Sequence, residues 1–398
     1  MPGPLKGIQV LDLSAVVSGP LTGALLADMG ADVIKVEKLT GDIQRNVGSR
    51  RRDFSGSFHV LNRGKRSIAL DLKSPEAKPV IETLIKRSDV LIQNFRPGVM
   101  DRMGLGYDQV ARWHPKLIYL SISGFGSQGP EREKRAYDPI IQTYSGMSSV
   151  QGLKRNEGPE QVNQLIMDKL TATTGAQAVC AALYARERAG TGEHIELSML
   201  DTAVAFLWPD AGADVILQGD DIDHRPAISA AGQLVELKDG WAAFMILSDA
   251  EFEGFCRALG LTELVKDDRF NTLSQRQQHR SEFTDALQGV LGQAKNLSTE
   301  SFLKRLSEEH VPVSSVKFLE DIHEDPQVIA NGLLRERDHP VAGRLREARP
   351  APIFKRFSLE AAGFAPKVGE HTEAILTELG FSEAIPDLIA SKAIALEG

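Results

Sequence analysis

Asp168 is the carboxylate of this chain best placed to do chemistry. It stands in QLIMDKLTATTGAQAVCAALYARERAGTGEHIELSMLD, after a short apolar run and just ahead of a helix expected from Leu170 to about Arg186. That helix leads through Gly190 and Gly192 into a strand expected from His194 to Met199. A helix N-terminus carries amide donors without partners and a partial positive charge, which keep a carboxylate there ionised. Two roles fit such a group: an N-cap for the helix, or a nucleophile presented to a ligand. The small residues Ala172, Thr173, Thr174, Gly175 and Ala176 leave room for something large against the helix. A second candidate is the turn SAVVSGP, where Val16 and Gly19 lie between a strand and a helix start and allow close approach of the backbone to a phosphate.

Alternating strands and helices must position these groups. Ile8 to Leu13, Asp32 to Glu37, Ser67 to Leu72, Val90 to Gln93 and Leu117 to Ser121 read as strands, with helices from Pro20 to Met29 and Pro75 to Arg87. Unbroken Val/Ile/Leu strands separated by helices indicate an α/β fold with a parallel sheet covered on both faces. Repetition of the unit gives a doubly wound, Rossmann-like domain with ligands at the carboxyl ends of the strands. After Leu200 the pattern changes. Trp208 to Ala231 suits a linker, and a hairpin is expected around Lys238-Asp239-Gly240. Helices follow from Asp249 to Leu259, Ser274 to Gly292, Ser298 to Glu309 and Glu320 to Ala330, with Val311 to Phe318 extended, and a last helix from Gly369 is stopped by Gly380.

The bulk properties exclude several classes. The chain has 398 residues, a net charge of −8, and 25% charged residues, so nucleic acid and anionic membranes find no global attraction. Cys180 and Cys256 are the two cysteines, without CxxC spacing, which excludes a disulfide framework or a structural zinc site. His224, His323 and His371 lack metal-ligand spacing and read as surface residues, and Arg50-Arg51-Arg52 as a solvated loop. The N-terminal residues MPGPLKGIQVLDL lack a signal-peptide pattern, no apolar run spans a membrane, and the protein reads as cytoplasmic.

Taken in order, GIQVLDLSAVVSGPLTGALLADMGADVIKVEKLTGD, NRGKRSIALDLKSPEA, DVLIQNFRPGVMDRMGLGYDQV, PKLIYLSISGFGSQGP, RAYDPIIQTYSGM, the Asp168 segment, RAGTGEHIELSMLDTAV, VPVSSVKFLEDIHEDPQV and GEHTEAILTELG resemble the family III CoA-transferases over nearly the whole chain. The family includes formyl-CoA transferase, carnitine CoA-transferase and alpha-methylacyl-CoA racemase. The resemblance implies a large Rossmann-like CoA-binding domain built from both chain ends, 1–205 and 331–398, an inserted linker and smaller α+β domain at 206–330, and an interlocked homodimer. It implies CoA thioesters and carboxylic acids as substrates, with no permanently bound cofactor. It places Asp168 at the catalytic aspartate, Val16 as a main-chain contact to CoA, and Leu70 as an apolar contact beside it. It also implies cations at Lys38, Lys73, Arg102 and Arg135, and a strand end packed on CoA at Asn94 and Arg96.

By resemblance, Asp168 attacks the thioester and passes through an anhydride to an aspartyl-CoA thioester. Glu here would misplace the carbonyl, and Asn would lack the nucleophilic oxygen. Oxyanion donors are expected among backbone amides near residue 168 or in the Val16 loop. The family's racemases use a histidine in a GHD-type motif. Here it reads Ala136-Tyr137-Asp138, and a tyrosine of ordinary pKa about 10 is a poor base at neutral pH. This favours transfer over racemisation, with Tyr137 either in the acyl pocket or structural. The stretch AISAAGQLVELKDG has no glycine run like the mobile loop of formyl-CoA transferase, so oxalate and formyl-CoA are not expected as substrates. Competing readings are an acyl-CoA racemase or epimerase, a non-catalytic CoA-binding protein and an NAD-dependent dehydrogenase, the last without its GxGxxG.

Overall fold

The computed structural model describes residues 3–153, 158–225, 227–359 and 363–397. The chain divides into two compact units, Met1–Ala205 with Ala330–Gly398, and Phe206–Ile329.

In the first unit, apolar runs without polar alternation form strands covered on both faces. β1 (Gln9–Asp12), β2 (Asp32–Glu37), β3 (Lys65–Leu70), β4 (Val90–Gln93), β5 (Ile118–Ser123) and β6 (Glu193–Ser198) pair in parallel. β7 (Ile394–Ala395) lies antiparallel on β3, so the sheet order is β7-β3-β2-β1-β4-β5-β6. The six parallel strands thus have the doubly wound order, and the chain reverses direction across the sheet between β1 and β4, where a crevice opens at the strand carboxyl ends. Neighbouring strand residues point to opposite faces. Leu11 therefore joins Ile68, Leu84 and Ile375 in one core, under α2 (Lys78–Arg87) and α5 (Thr372–Leu379). Val10 joins Leu26, Val33 and Val179 in the other, under α1 (Ser18–Asp28) and α4 (Ile166–Ala189). A shorter helix, α3 (Asp138–Tyr144), precedes α4.

The second unit is an antiparallel sheet of Gly232–Leu237, Gly240–Met245 and Val313–Ser315. Its core gathers Phe244, Phe252, Phe255 and Phe302 from the sheet and the helices Asp249–Leu259 and Thr299–Glu308.

Some elements differ from the sequence reading. The Glu320–Ala330 helix is broken, with a 3-10 turn at Ile322–Glu324 and a helix at Pro326–Ala330, because a residue before proline avoids helical geometry. The helix expected from Ser274 divides into Leu273–Gln278 and Arg280–Ala294. A hairpin of Leu334–His339 with Gly343–Ala348 was not foreseen, since LRERDH and GRLREA are dominated by charges. Arg50 and Arg51 are exposed but belong to a short ladder with Phe54–Ser55, and Arg51 donates to the Ala342 carbonyl at 2.7 Å. Among the described residues, no helix is long and apolar enough to cross a membrane.

Candidate active site

The loop between β1 and α1 carries the backbone of the site. Val16 sits in the left-handed region with φ of 72°, a conformation that costs a β-branched residue about 1–3 kcal/mol. It is held there by bonds from every side. Asp12 accepts the amide (2.9 Å) and hydroxyl of Ser14, and Lys35 Nζ donates to the Ser14 carbonyl at 2.9 Å. Asn94 clamps Ala15, accepting its amide at 2.9 Å and donating to its carbonyl at 2.8 Å. The Val16 amide donates to the Asp42 carboxylate at 3.2 Å. Gly19 is required at the start of α1, because a Cβ there would lie 2.3 Å from the Ser14 Cβ. Asn94 is thus a brace across the crevice between β1 and β4.

Beneath the loop lies a buried ion network. Lys65 pairs with Asp12 at 2.7 Å, both fully buried, and Lys35 pairs with Asp42 at 3.2 Å. Burial works to raise the Asp12 pKa, but the Lys65 and Lys35 cations hold it below the ordinary value.

Asp168 lies on the third residue of α4, whose N-cap is Leu165, with no side-chain cap. The N-cap reading is therefore corrected: helical geometry begins earlier than expected. The small residues on α4 also have a different use. Ala172 and Ala176 are buried where α1 packs, Thr22 Oγ1 donates to the Ala172 carbonyl at 3.3 Å, and a Cβ on Gly175 would come 3.2 Å from Thr22 Oγ1. The large object against this helix is α1.

That packing brings the starts of α1 and α4 together. The hydroxyl and amide of Ser18 lie on the side of the Asp168 carboxylate and favour its ionised form. The side chain is buried, at 7% exposure. Burial, and then the charge of Asp138, push its pKa up to about 6 against the influence of Ser18, which lowers it. The helix terminus was expected to keep this group ionised, and burial with the charge of Asp138 works against that pull. It remains mostly ionised at neutral pH, but it is more basic than an ordinary aspartate.

Lys38, Lys73 and Arg96 are exposed just beyond β2, β3 and β4, and Asn94 is half-buried there, so the fold gathers these four with Val16 at one edge of the sheet. Arg102 is exposed at the end of the helix Val99–Arg102, and Arg135 is exposed ahead of α3. Leu70 is corrected: it is 1% exposed in the core, so its side chain has no free surface. Tyr137 is 64% exposed, directly before α3. His224 is exposed, whereas His323 and His371 are half-buried, and His371 Nδ1 accepts from the Ser67 amide at 3.3 Å. A cleft of about 480 Å³ opens beyond β4, β5 and β6, lined by Arg96, Tyr107, His194, Glu196 and Asp201; Asp168 does not line it. The sequence reading missed Ser18, Asp42 and Lys35. Ser18 alone had a local signal, its place in the SAVVSGP turn.

A doubly wound sheet with a buried, basic carboxylate at its ligand edge defines an α/β protein built for covalent or acid–base chemistry. The profile of CoA-transferase family III matches residues 5–372. The succinate–glutarate CoA-transferase of Agrobacterium fabrum is 32% identical, over 94% of this chain and 96% of that protein. The acetyl-CoA:oxalate CoA-transferase of Acetobacter aceti is also 32% identical, over 96% of this chain and 97% of that protein. The crystal structure of a CAIB/BAIF family protein from Brucella suis superposes with a TM-score of 0.80 at 31% identity, covering 95% of this chain and all of that one. The chain belongs to CoA-transferase family III.

Proposed function

We propose that this enzyme is an acyl-CoA:carboxylate CoA-transferase working through Asp168. The observation that carries the reading is a carboxylate buried in the first turn of α4, its main chain anchored by Asp138, with burial pushing its pKa up to about 6. A raised pKa makes a carboxylate a better nucleophile while leaving it ionised at neutral pH. An Asp168 oxygen attacks the thioester carbonyl, and the C–S bond breaks to leave an acyl–aspartyl anhydride and CoA thiolate. The thiolate attacks the Asp168 carbonyl carbon, the anhydride C–O bond breaks, and the first acid departs from an aspartyl-CoA thioester. The acceptor carboxylate repeats these steps in reverse, and CoA leaves on the new acid. Backbone amides near residue 168, other than the Asp168 amide that Asp138 accepts, or in the Val16 loop serve the oxyanions, and burial keeps water from the anhydride.

In this reading Lys38, Lys73, Arg96, Arg102 and Arg135 supply cations for the CoA phosphates. Val16 contacts CoA through the main chain, Asn94 holds the loop, and Tyr137 borders the acyl group. The relatives named for succinate, glutarate and oxalate support a dicarboxylic acid as one partner. The oxalate-named relative reopens a substrate that the missing glycine run had argued against. An interlocked homodimer follows from the family resemblance, and the exposed Tyr137, Ile140 and Tyr144 give it apolar surface to cover.

The alternative, an acyl-CoA racemase or epimerase, is favoured by one observation, since a carboxyl titrating near about 6 also suits proton transfer. Incubation with succinyl-CoA followed by hydroxylamine separates the two. Transfer gives a hydroxamate at Asp168 by peptide mass spectrometry. Alpha-proton exchange in deuterium oxide from a chiral acyl-CoA, with no hydroxamate, overturns it in favour of racemisation.

A further inference from the structure

A second buried carboxylate stands behind the first. Asp138, the first residue of α3, has 0% exposure. Its Oδ2 accepts the main-chain amide of Asp168 at 2.9 Å, and its Oδ1 accepts Gln142 Nε2 at 2.6 Å. Gln142 also donates to the carbonyls of Val162 at 3.2 Å and Gln164 at 3.0 Å, and accepts the Val162 amide at 2.9 Å. The Asp168 amide belongs to the first turn of α4, where amides have no partner within the helix. A capping side chain at the N-cap would ordinarily supply the acceptor. Leu165 has none, so the oxygen comes from another helix.

We propose that Asp138 is a positioning residue of the transfer reaction: one carboxylate oxygen fixes the main chain of Asp168, and the other, through Gln142, fixes the segment that leads into it. The proposal rests on the reading of Asp168 as nucleophile. The groups acting on the Asp168 carboxylate are Ser18 of α1, which favours its ionised form, and Asp138 of α3, whose charge opposes its ionisation. Lys169, next along α4, is engaged with Gln164 at 2.9 Å. Asp138 therefore both anchors the nucleophile and keeps it basic.

Full-length Asp138→Asn, Asp138→Glu and Gln142→Ala are compared with wild type for kcat, KM and hydroxylamine trapping between pH 5 and pH 8. In Asp138→Asn the acidic limb of kcat moves to lower pH, because a neighbouring negative charge is gone. Its plateau kcat falls by about tenfold or more through misplacement of the nucleophile, with KM for acyl-CoA within about twofold, and Asp138→Glu restores the limb. A folded Asp138→Asn whose limb stays at the wild-type pH overturns the proposal, since a merely structural residue would lower the rate without moving it. Should that variant not fold, Gln142→Ala decides: a lower plateau kcat at unchanged KM supports the anchoring, and wild-type kcat overturns it. Absence of trapping at Asp168 in the wild type itself would refute the nucleophile reading instead.

Discussion

At Asp168 two helix N-termini favour the anion, while burial and the charge of Asp138 oppose it. The opposition wins, and the carboxyl titrates near about 6 instead of 3.8. A carboxyl whose folded pKa is raised contributes stability that is fully present below the unfolded pKa and is lost as pH rises from about 4 through about 6. At neutral pH the ionised group therefore destabilises the fold, by an amount on the order of 3 kcal/mol. Asp168→Asn keeps an oxygen for Ser18 and removes the charge. It is expected to abolish transfer, leave CoA affinity within about threefold, and raise the melting temperature at pH 7.5 by a few degrees. A melting temperature below wild type at that pH would contradict this account of the site.

At the scale of elements, the loop from Ser14 to Ser18 stores strain at Val16 that four surrounding side chains, Asp12, Lys35, Asp42 and Asn94, hold in place. Val16→Gly removes the left-handed penalty, so thermal unfolding should show equal or higher stability. CoA affinity, measured by calorimetry, should weaken because the unbound loop gains freedom. Gly19→Ala acts in the opposite sense on stability. Its methyl would collide with Ser14, so both the melting temperature and CoA affinity should drop, and unchanged values would mean that the turn yields easily. The α1–α4 contact is the other decisive element. The small residues along α4 allow α1 to lie close, and that closeness delivers Ser18 to Asp168.

At the scale of the molecule, the first unit joins distant parts of the chain, with Ile394–Ala395 as an edge strand on β3. Its sheet has a buried ionic centre where an apolar one would be usual. Lys65 donates to Asp12 and also to the carbonyl of Pro20 and to Asn62, and thereby ties β1, α1 and β3 together. Removing one member of such a pair leaves a buried charge behind, at a typical cost of about 3–5 kcal/mol. Lys65→Met should show a loss of that size in urea unfolding followed by a probe of the first unit. A loss below about 1 kcal/mol would show that Lys35 compensates for the missing cation.

The sequence by itself determined the strands, because unbroken apolar runs between turn residues are a local property of neighbouring amino acids. With the strands came the sheet's covered faces and its ligand edge, where Val16, Lys38, Lys73, Asn94 and Arg96 emerge. The charged hairpin at Leu334–Ala348 escaped notice because its alternation carries little apolar signal. Tertiary structure alone decided what surrounds Asp168. Ser18 arrives from another helix, Asp138 caps the amide across space, and the room left by the small residues is filled by α1. Burial and nearby charge set a proton affinity, and both depend on residues separated from Asp168 in the chain, Asp138 by 30 positions, so the turns on either side of Asp168 do not contain them.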